Sequence, residues 1–203
     1  VDISGAKIQV VDPVMDTDST GWDYAYGILA GQARNSSIYN CTVSGSIEIS
    51  QVQEMSNRLY VGGMIGSAGT GCEIADCKST ASVTVRTNTN TFAGGLTGRF
   101  WTDDDNYMVN CAYSGSVYVD SGDLSNGKKV FATGLGIEWD ASSEYYGGGS
   151  SVQGSICAEA TVGDAEAIGI CKVSGGNSNV EVYARSDYGF ATAVGARHCA
   201  NMD

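Results

Sequence analysis

Apolar and polar residues alternate along this chain in short stretches bounded by glycine, and the alternation returns in nearly the same wording. Ile38-Tyr39-Asn40-Cys41-Thr42-Val43-Ser44-Gly45-Ser46-Ile47-Glu48-Ile49 recurs as Ile74-Ala75-Asp76-Cys77-Lys78-Ser79-Thr80-Ala81-Ser82-Val83-Thr84-Val85. It recurs again as Met108-Val109-Asn110-Cys111-Ala112-Tyr113-Ser114-Gly115-Ser116-Val117-Tyr118-Val119. A strand through the first half of the phrase would place Ile38, Asn40 and Thr42 on one face and Tyr39, Cys41 and Val43 on the other, as a period of two requires. Ile47 and Ile49 begin a further short strand. Glycine-framed apolar runs separate the copies: Tyr26-Gly27-Ile28-Leu29-Ala30-Gly31, Val61-Gly62-Gly63-Met64-Ile65-Gly66 and Ala93-Gly94-Gly95-Leu96-Thr97-Gly98. Gly63 and Gly95 are expected to be structural, because each glycine pair permits a tight corner or a close backbone approach.

A fixed period of this kind predicts stacked supersecondary units. The expected fold class is all-β: a repeat solenoid, specifically a parallel β-helix, of about six short coils with loop insertions. Residues 1–22 are expected to form a leading strand or cap, or the end of a preceding coil. The β-solenoid repeats then span residues 23–203, with coils over 24–50, 60–85, 92–119, 131–163, 167–182 and 188–203. In the degenerate fourth copy, Ser155 is expected at the position of the repeat cysteine. Insertions are expected over residues 51–58, 87–90, 99–107, 120–129 and 138–150, and in repeat arrays such excursions collect on one face and carry binding. The abrupt ends at Val1 and Asp203 suggest a segment of a longer chain.

Composition agrees with strands: Gly 28, Pro 1 and Tyr 11 in 203 residues, with few helix formers. Cysteine adds a buried ladder. Cys41, Cys77 and Cys111 share one repeat position, 36 and then 34 residues apart, and equivalent positions of stacked coils lie about 4.8 Å apart. Small apolar thiols suit such a column. Cys72, Cys157, Cys171 and Cys199 are off this register, so Cys72–Cys77 and Cys157–Cys171 bridges stay open as alternatives.

The glycine frames and the cysteine phrase together resemble the GLUG repeat family, named for a glycine, leucine, any residue, glycine core. That core reads Gly63-Met64-Ile65-Gly66 and Gly95-Leu96-Thr97-Gly98 here, with variants at Gly27–Gly31 and Gly134-Leu135-Gly136. The resemblance is strongest over residues 24–119 and loose beyond Val130. It implies a structural or adhesive module of a large bacterial protein, cell-surface or secreted, and therefore extracellular. Adhesin-like chains and the non-catalytic regions of secreted metallopeptidases are of this kind. It implies no catalytic residue.

Charge and motifs narrow the partners. A net charge of -12 argues against nucleic acid, whose phosphates are bound by Lys and Arg, and no apolar run of about 18 residues predicts membrane insertion. The one histidine, His198, stands near the end of the sequence, and no H-E-x-x-H, G-x-S-x-G or P-loop motif is present, so the chain is expected not to be an enzyme. The rival expectation is a β-helical polysaccharide lyase or glycosidase using Glu138, Asp140 and Glu144. No cofactor is required, although Asp16, Asp18 and Asp23 around Gly21 form an oxygen-rich turn that suits calcium. Glycan or host surface protein is the expected partner. Trp101, Asp103, Asp104, Tyr107, Trp139, Tyr145 and Tyr146 combine aromatic faces with carboxylates in two insertions, a combination suited to sugar rings and hydroxyls.

Overall fold

The computed structural model describes residues 1–11, 23–51, 57–101, 106–123, 128–138, 148–171, 174–197 and 200–202. Among them there is no helix, and the strands wind into parallel sheets as a β-solenoid of about four turns. Strand β1 (Asp2–Val11) leads. The first coil is β2 (Tyr24–Gly27), β3 (Ala30–Ala33), β4 (Ser36–Tyr39) and β5 (Thr42–Gln51). The second is β6 (Leu59–Gly62), β7 (Ile65–Ala68), β8 (Cys72–Ala75), and β9 (Lys78–Ser79) with β10 (Ser82–Thr87). The third is β11 (Thr91–Gly94), β12 (Thr97–Phe100), β13 (Tyr107–Val109) and β14 (Ala112–Asp123). The fourth holds β15 (Lys129–Thr133), β16 (Ile137–Glu138) and β17 (Ser151–Val162). After it come β18 (Asp164–Cys171), β19 (Ser174–Tyr188), β20 (Ala191–Arg197) and β21 (Ala200–Met202).

Stacking these coils makes four sheets. Sheet A holds β1, β5, β9, β10, β14, β17, β19 and β21; sheet B holds β2, β6, β11, β15, β18 and β20; sheet C holds β3, β7, β12 and β16; sheet D holds β4, β8 and β13. The six coils expected from sequence thus divide into about four turns and a tail, because β18 to β21 join only sheets A and B. The core lies between the sheets, with Ile47, Val83, Val117 and Ile156 in one register column of sheet A and all buried.

The glycine frame explains where sheet C exists. Gly62 ends β6, the chain folds back at Gly63 and Met64, and β7 returns so close that a Cβ on Gly62 would strike the Ile65 carbonyl. A Cβ on Gly66 would strike the backbone of Tyr26, and one on Gly98 the backbone of Val61. Sheets B and C therefore meet backbone to backbone, a spacing that only glycine permits. Gly63 and Gly95 make further close contacts: a Cβ on Gly63 would strike the Gly95 carbonyl first and then Ser79, and Gly95 lies against the ring of buried Tyr113. Following the first frame position through the register gives Gly27, Gly62, Gly94, Thr133, Ile168 and Val194. The fold-back shortens where threonine stands and ends where isoleucine stands.

The cysteine phrase is not one strand. Asn40, Asp76 and Asn110 have φ of 53°, 53° and 51°, a left-handed corner that Asn and Asp tolerate better than other side chains. This corner ends sheet D and starts sheet A, so the alternation expected across it breaks there. Behind the corner Cys41, Cys77 and Cys111 are buried free thiols. The thiols of Cys77 and Cys111 donate to the carbonyls of Ala75 at 3.2 Å and Val109 at 3.4 Å. The neighbouring Cys77 thiol and burial push the Cys111 thiol far above its ordinary value. In the fourth coil Ala112 pairs with Ser151, which puts buried Ser150 at the cysteine position and left-handed Gly149 before it. The expectation that Ser155 filled that place is thereby corrected; Ser155 faces Ser116. Cys72, Cys77 and Cys157 are free, so neither the Cys72–Cys77 nor the Cys157–Cys171 bridge forms.

Parts of two supposed insertions belong to the coil. Arg99 and Phe100 lie in β12, and Phe100 is 3% exposed. The segment 87–90 is a corner in which the buried hydroxyl of Thr87 accepts from the Thr89 amide at 3.1 Å and from the Thr91 hydroxyl at 3.3 Å.

Candidate functional site

Because sheet C lies directly on sheet B, side chains from different coils converge at their shared margin. Gln32 of β3, Ser67 of β7 and Arg99 of β12 form one register row of sheet C. Tyr60 of β6 reaches the row from sheet B, Asp23 from the residue before β2, and Trp101 from the residue after β12. Together with Arg34 and Gly69 they line a cleft of about 220 Å³. A larger groove of about 380 Å³ crosses the margin of sheet A between Gln9, Glu48 and Arg86, but it has no aromatic ring in its lining.

Arg99 is the floor of the cleft and only 6% exposed. Its guanidinium carbon stands 3.8 Å from the centroid of the Trp101 ring and 5.1 Å from that of Tyr60, close enough for cation–π attraction on both. One terminal nitrogen donates to the Tyr60 hydroxyl at 3.1 Å and faces the Asp23 carboxylate at 3.6 Å. Nε is buried without a hydrogen-bond partner. Burial pulls the Arg99 pKa down, opposed by Tyr60 and Asp23, while burial pushes the Tyr60 phenol up. Asp23 also accepts from the Arg58 amide at 3.1 Å.

Trp101 lines the cleft and is 42% exposed, with the buried Arg99 guanidinium against its ring. Its placement is fixed from two sides. The Trp101 amide donates to the Ala68 carbonyl at 2.9 Å. The side-chain amide of buried Asn106 donates to the Trp101 carbonyl while its oxygen accepts from the Cys72 amide. Asn106 thereby ties the Trp101 backbone to Cys72 of the second coil.

Of the residues singled out from sequence, Trp101 and Asp23 share this cleft. Tyr107 does not: it lies in β13 on sheet D, where its hydroxyl meets that of Tyr39 at 2.9 Å. Tyr39 and Ser37 both donate to the Glu73 carboxylate there, and these bonds hold Glu73 below its ordinary pKa. Asp16, Asp18, Asp103, Asp104, Trp139, Asp140, Glu144, Tyr145, Tyr146, His198 and Cys199 lie outside the described residues. Asp23 faces a guanidinium, an electrostatic setting that opposes a cation at the same carboxylate. Sequence reasoning missed Arg99, Tyr60, Gln32, Ser67 and Arg34. A signal was available, since Gln32, Ser67 and Arg99 each directly follow the last glycine of a frame.

These features define a class, a β-solenoid built as a structural repeat module with a cleft at the margin of two sheets. Residues 57–84, nearly the whole of the second coil, match the family model of the GLUG motif, a repeat found in bacterial extracellular proteins. No curated protein and no solved structure matches the chain.

Proposed function

We propose that this chain is a non-catalytic adhesive module of a bacterial cell-surface or secreted protein, and that it binds glycan through the Trp101 cleft. The observation that carries this reading is the half-open indole backed by a buried guanidinium. A rigid aromatic face gives a sugar ring a stacking surface, and Gln32, Ser67 and Asp23 stand beside it as hydrogen-bonding groups. Asp23 is the one carboxylate in the described lining, whereas glycoside hydrolysis uses a pair. Among the described residues, Cys41, Cys77 and Cys111 lie in the core and Asn40, Asp76 and Asn110 shape the corners.

A glycan array probed with the protein and with Trp101→Ala tests this reading. Binding that disappears in the variant while its melting temperature stays within a few degrees supports the cleft. Equal binding by both proteins would place the ligand elsewhere.

A further inference from the structure

The charge of the cleft runs against the charge of the chain. The protein has 23 acidic and 11 basic residues, yet the described lining carries Arg34 and Arg99 against Asp23 alone. The two arginines differ in kind. Arg99 is buried, with Nε unpartnered and its ion pair to Asp23 stretched to 3.6 Å, so its charge is incompletely compensated within the cleft; a buried charge in that condition favours an anion nearby. Arg34 is exposed at the rim, its stem close over Gly69, where a β-carbon would lie 3.1 Å from Arg34 Cγ. An exposed guanidinium presents a planar fork of donors matched to a carboxylate.

Resting on the glycan reading above, we propose that the cleft selects saccharides bearing a carboxylate. The pyranose ring stacks on the free surface of Trp101, the carboxylate takes the fork of Arg34 within the field of Arg99, and Asp23 and Gln32 accept and donate to ring hydroxyls. Asp23 repels the acid from its own end of the cleft, which fixes the direction in which the sugar lies. Two sources of this chemistry exist, nonulosonic acids and uronic acids, and both present an equatorial or axial carboxylate on a six-membered ring.

Calorimetric titration of the whole chain with four probes tests the inference: 3′-sialyllactose against lactose, and a galacturonate trimer against its methyl ester. At least one acidic member is expected to bind about tenfold or more tighter than its neutral counterpart, the range that one charge-assisted hydrogen-bonded pair supplies. Which acid binds identifies the source. Arg34→Gln is expected to erase the preference while leaving weak binding of both members, and Trp101→Ala to remove both. Added salt should narrow the gap between members.

Equal affinity for acidic and neutral members overturns the carboxylate selection and leaves the glycan cleft standing. Acid-selective binding that survives both substitutions overturns the selection and the cleft together. Failure of all four probes overturns the selection, and the array then decides the wider reading separately. Unchanged melting temperatures of the two variants exclude misfolding as the cause of any loss.

Discussion

The first three coils and the tail use the same register and reach different cross-sections. In the former, each coil visits four sheets; in the latter, β18 to β21 visit two. One register column separates them, Gly27, Gly62 and Gly94 in the first three coils and Ile168 and Val194 in the tail, with Thr133 between. The same apolar pattern that makes a strand of sheet B thus continues straight as β18 when the fold-back is sterically closed. The difference teaches that the glycine frame governs more than corner shape. It sets how many faces a coil has, and by pressing sheet C onto sheet B it creates the margin where Arg99 of one coil meets Tyr60 of another.

The largest effect should come from placing the tail's residue in a four-sheet coil. Gly94→Ile drives a branched side chain into the Thr97 carbonyl and is expected to cost about 3 kcal/mol or more, at the upper end of overpacking effects. Gly195→Ala, whose Cβ meets nothing within 4 Å, should change stability by less than about 0.5 kcal/mol. Urea unfolding of both variants checks the pair, and similar midpoints would show that the frame does not distinguish the regions.

The next effect lies at the left-handed corner. Asn110→Ala, at φ 51°, is expected to lose about 1 kcal/mol, the penalty of that conformation for an ordinary side chain. Asn110→Gly should lose much less, since Gly149 already serves the same corner one coil on. If alanine and glycine cost the same, the corner conformation is not what the Asn supplies.

A smaller effect concerns sheet D, which the tail lacks. The bonds from Tyr39 and Ser37 lower the folded pKa of Glu73 from its ordinary 4.5. Its contribution to stability is therefore complete above pH 4.5 and fades as pH falls through the lower folded value. The melting temperature of Glu73→Gln should lie below that of the parent near neutrality and converge with it in acid. A gap that persists or widens in acid would contradict the assignment. The stability change in Trp101→Ala should also be small, under about 1 kcal/mol for a side chain with 42% exposure, although its binding loss is expected to be complete.

Much of the architecture was legible because the repeat phrase is long and its period fixed. The thrice-repeated Asn/Asp-Cys and the paired glycines declare a stacked all-β fold. Two things were not legible. Alternation alone cannot report a left-handed residue inside an apparently continuous strand, so the break at Asn40 and the displacement of Ser155 by Ser150 needed backbone and register. The site was legible only in part: Trp101 stood out as an aromatic of an insertion and Asp23 only as a calcium candidate, whereas Arg99 resembles any polar residue of a strand until sheet C brings it 3.1 Å from Tyr60. Convergence across coils is a property of stacking distance, and sequence order conceals it.

Amide hydrogen exchange tests the central claim most directly, because it compares the two regions in the unaltered protein. In the four-sheet coils the Gly63 amide donates to Gly94 at 2.9 Å, Met64 to Leu96 at 2.9 Å and Thr97 to Leu135 at 2.7 Å, all beneath closely apposed sheets. Residues 63–68 and 95–100 should exchange as slowly as residues 82–87 and 112–120 of sheet A, and residues 191–197 much faster, since protection follows burial and local contact density. Fast exchange over 63–68 and 95–100, matching that of 191–197, would contradict the claim that the glycine frame locks sheet C onto sheet B and holds the cleft in place.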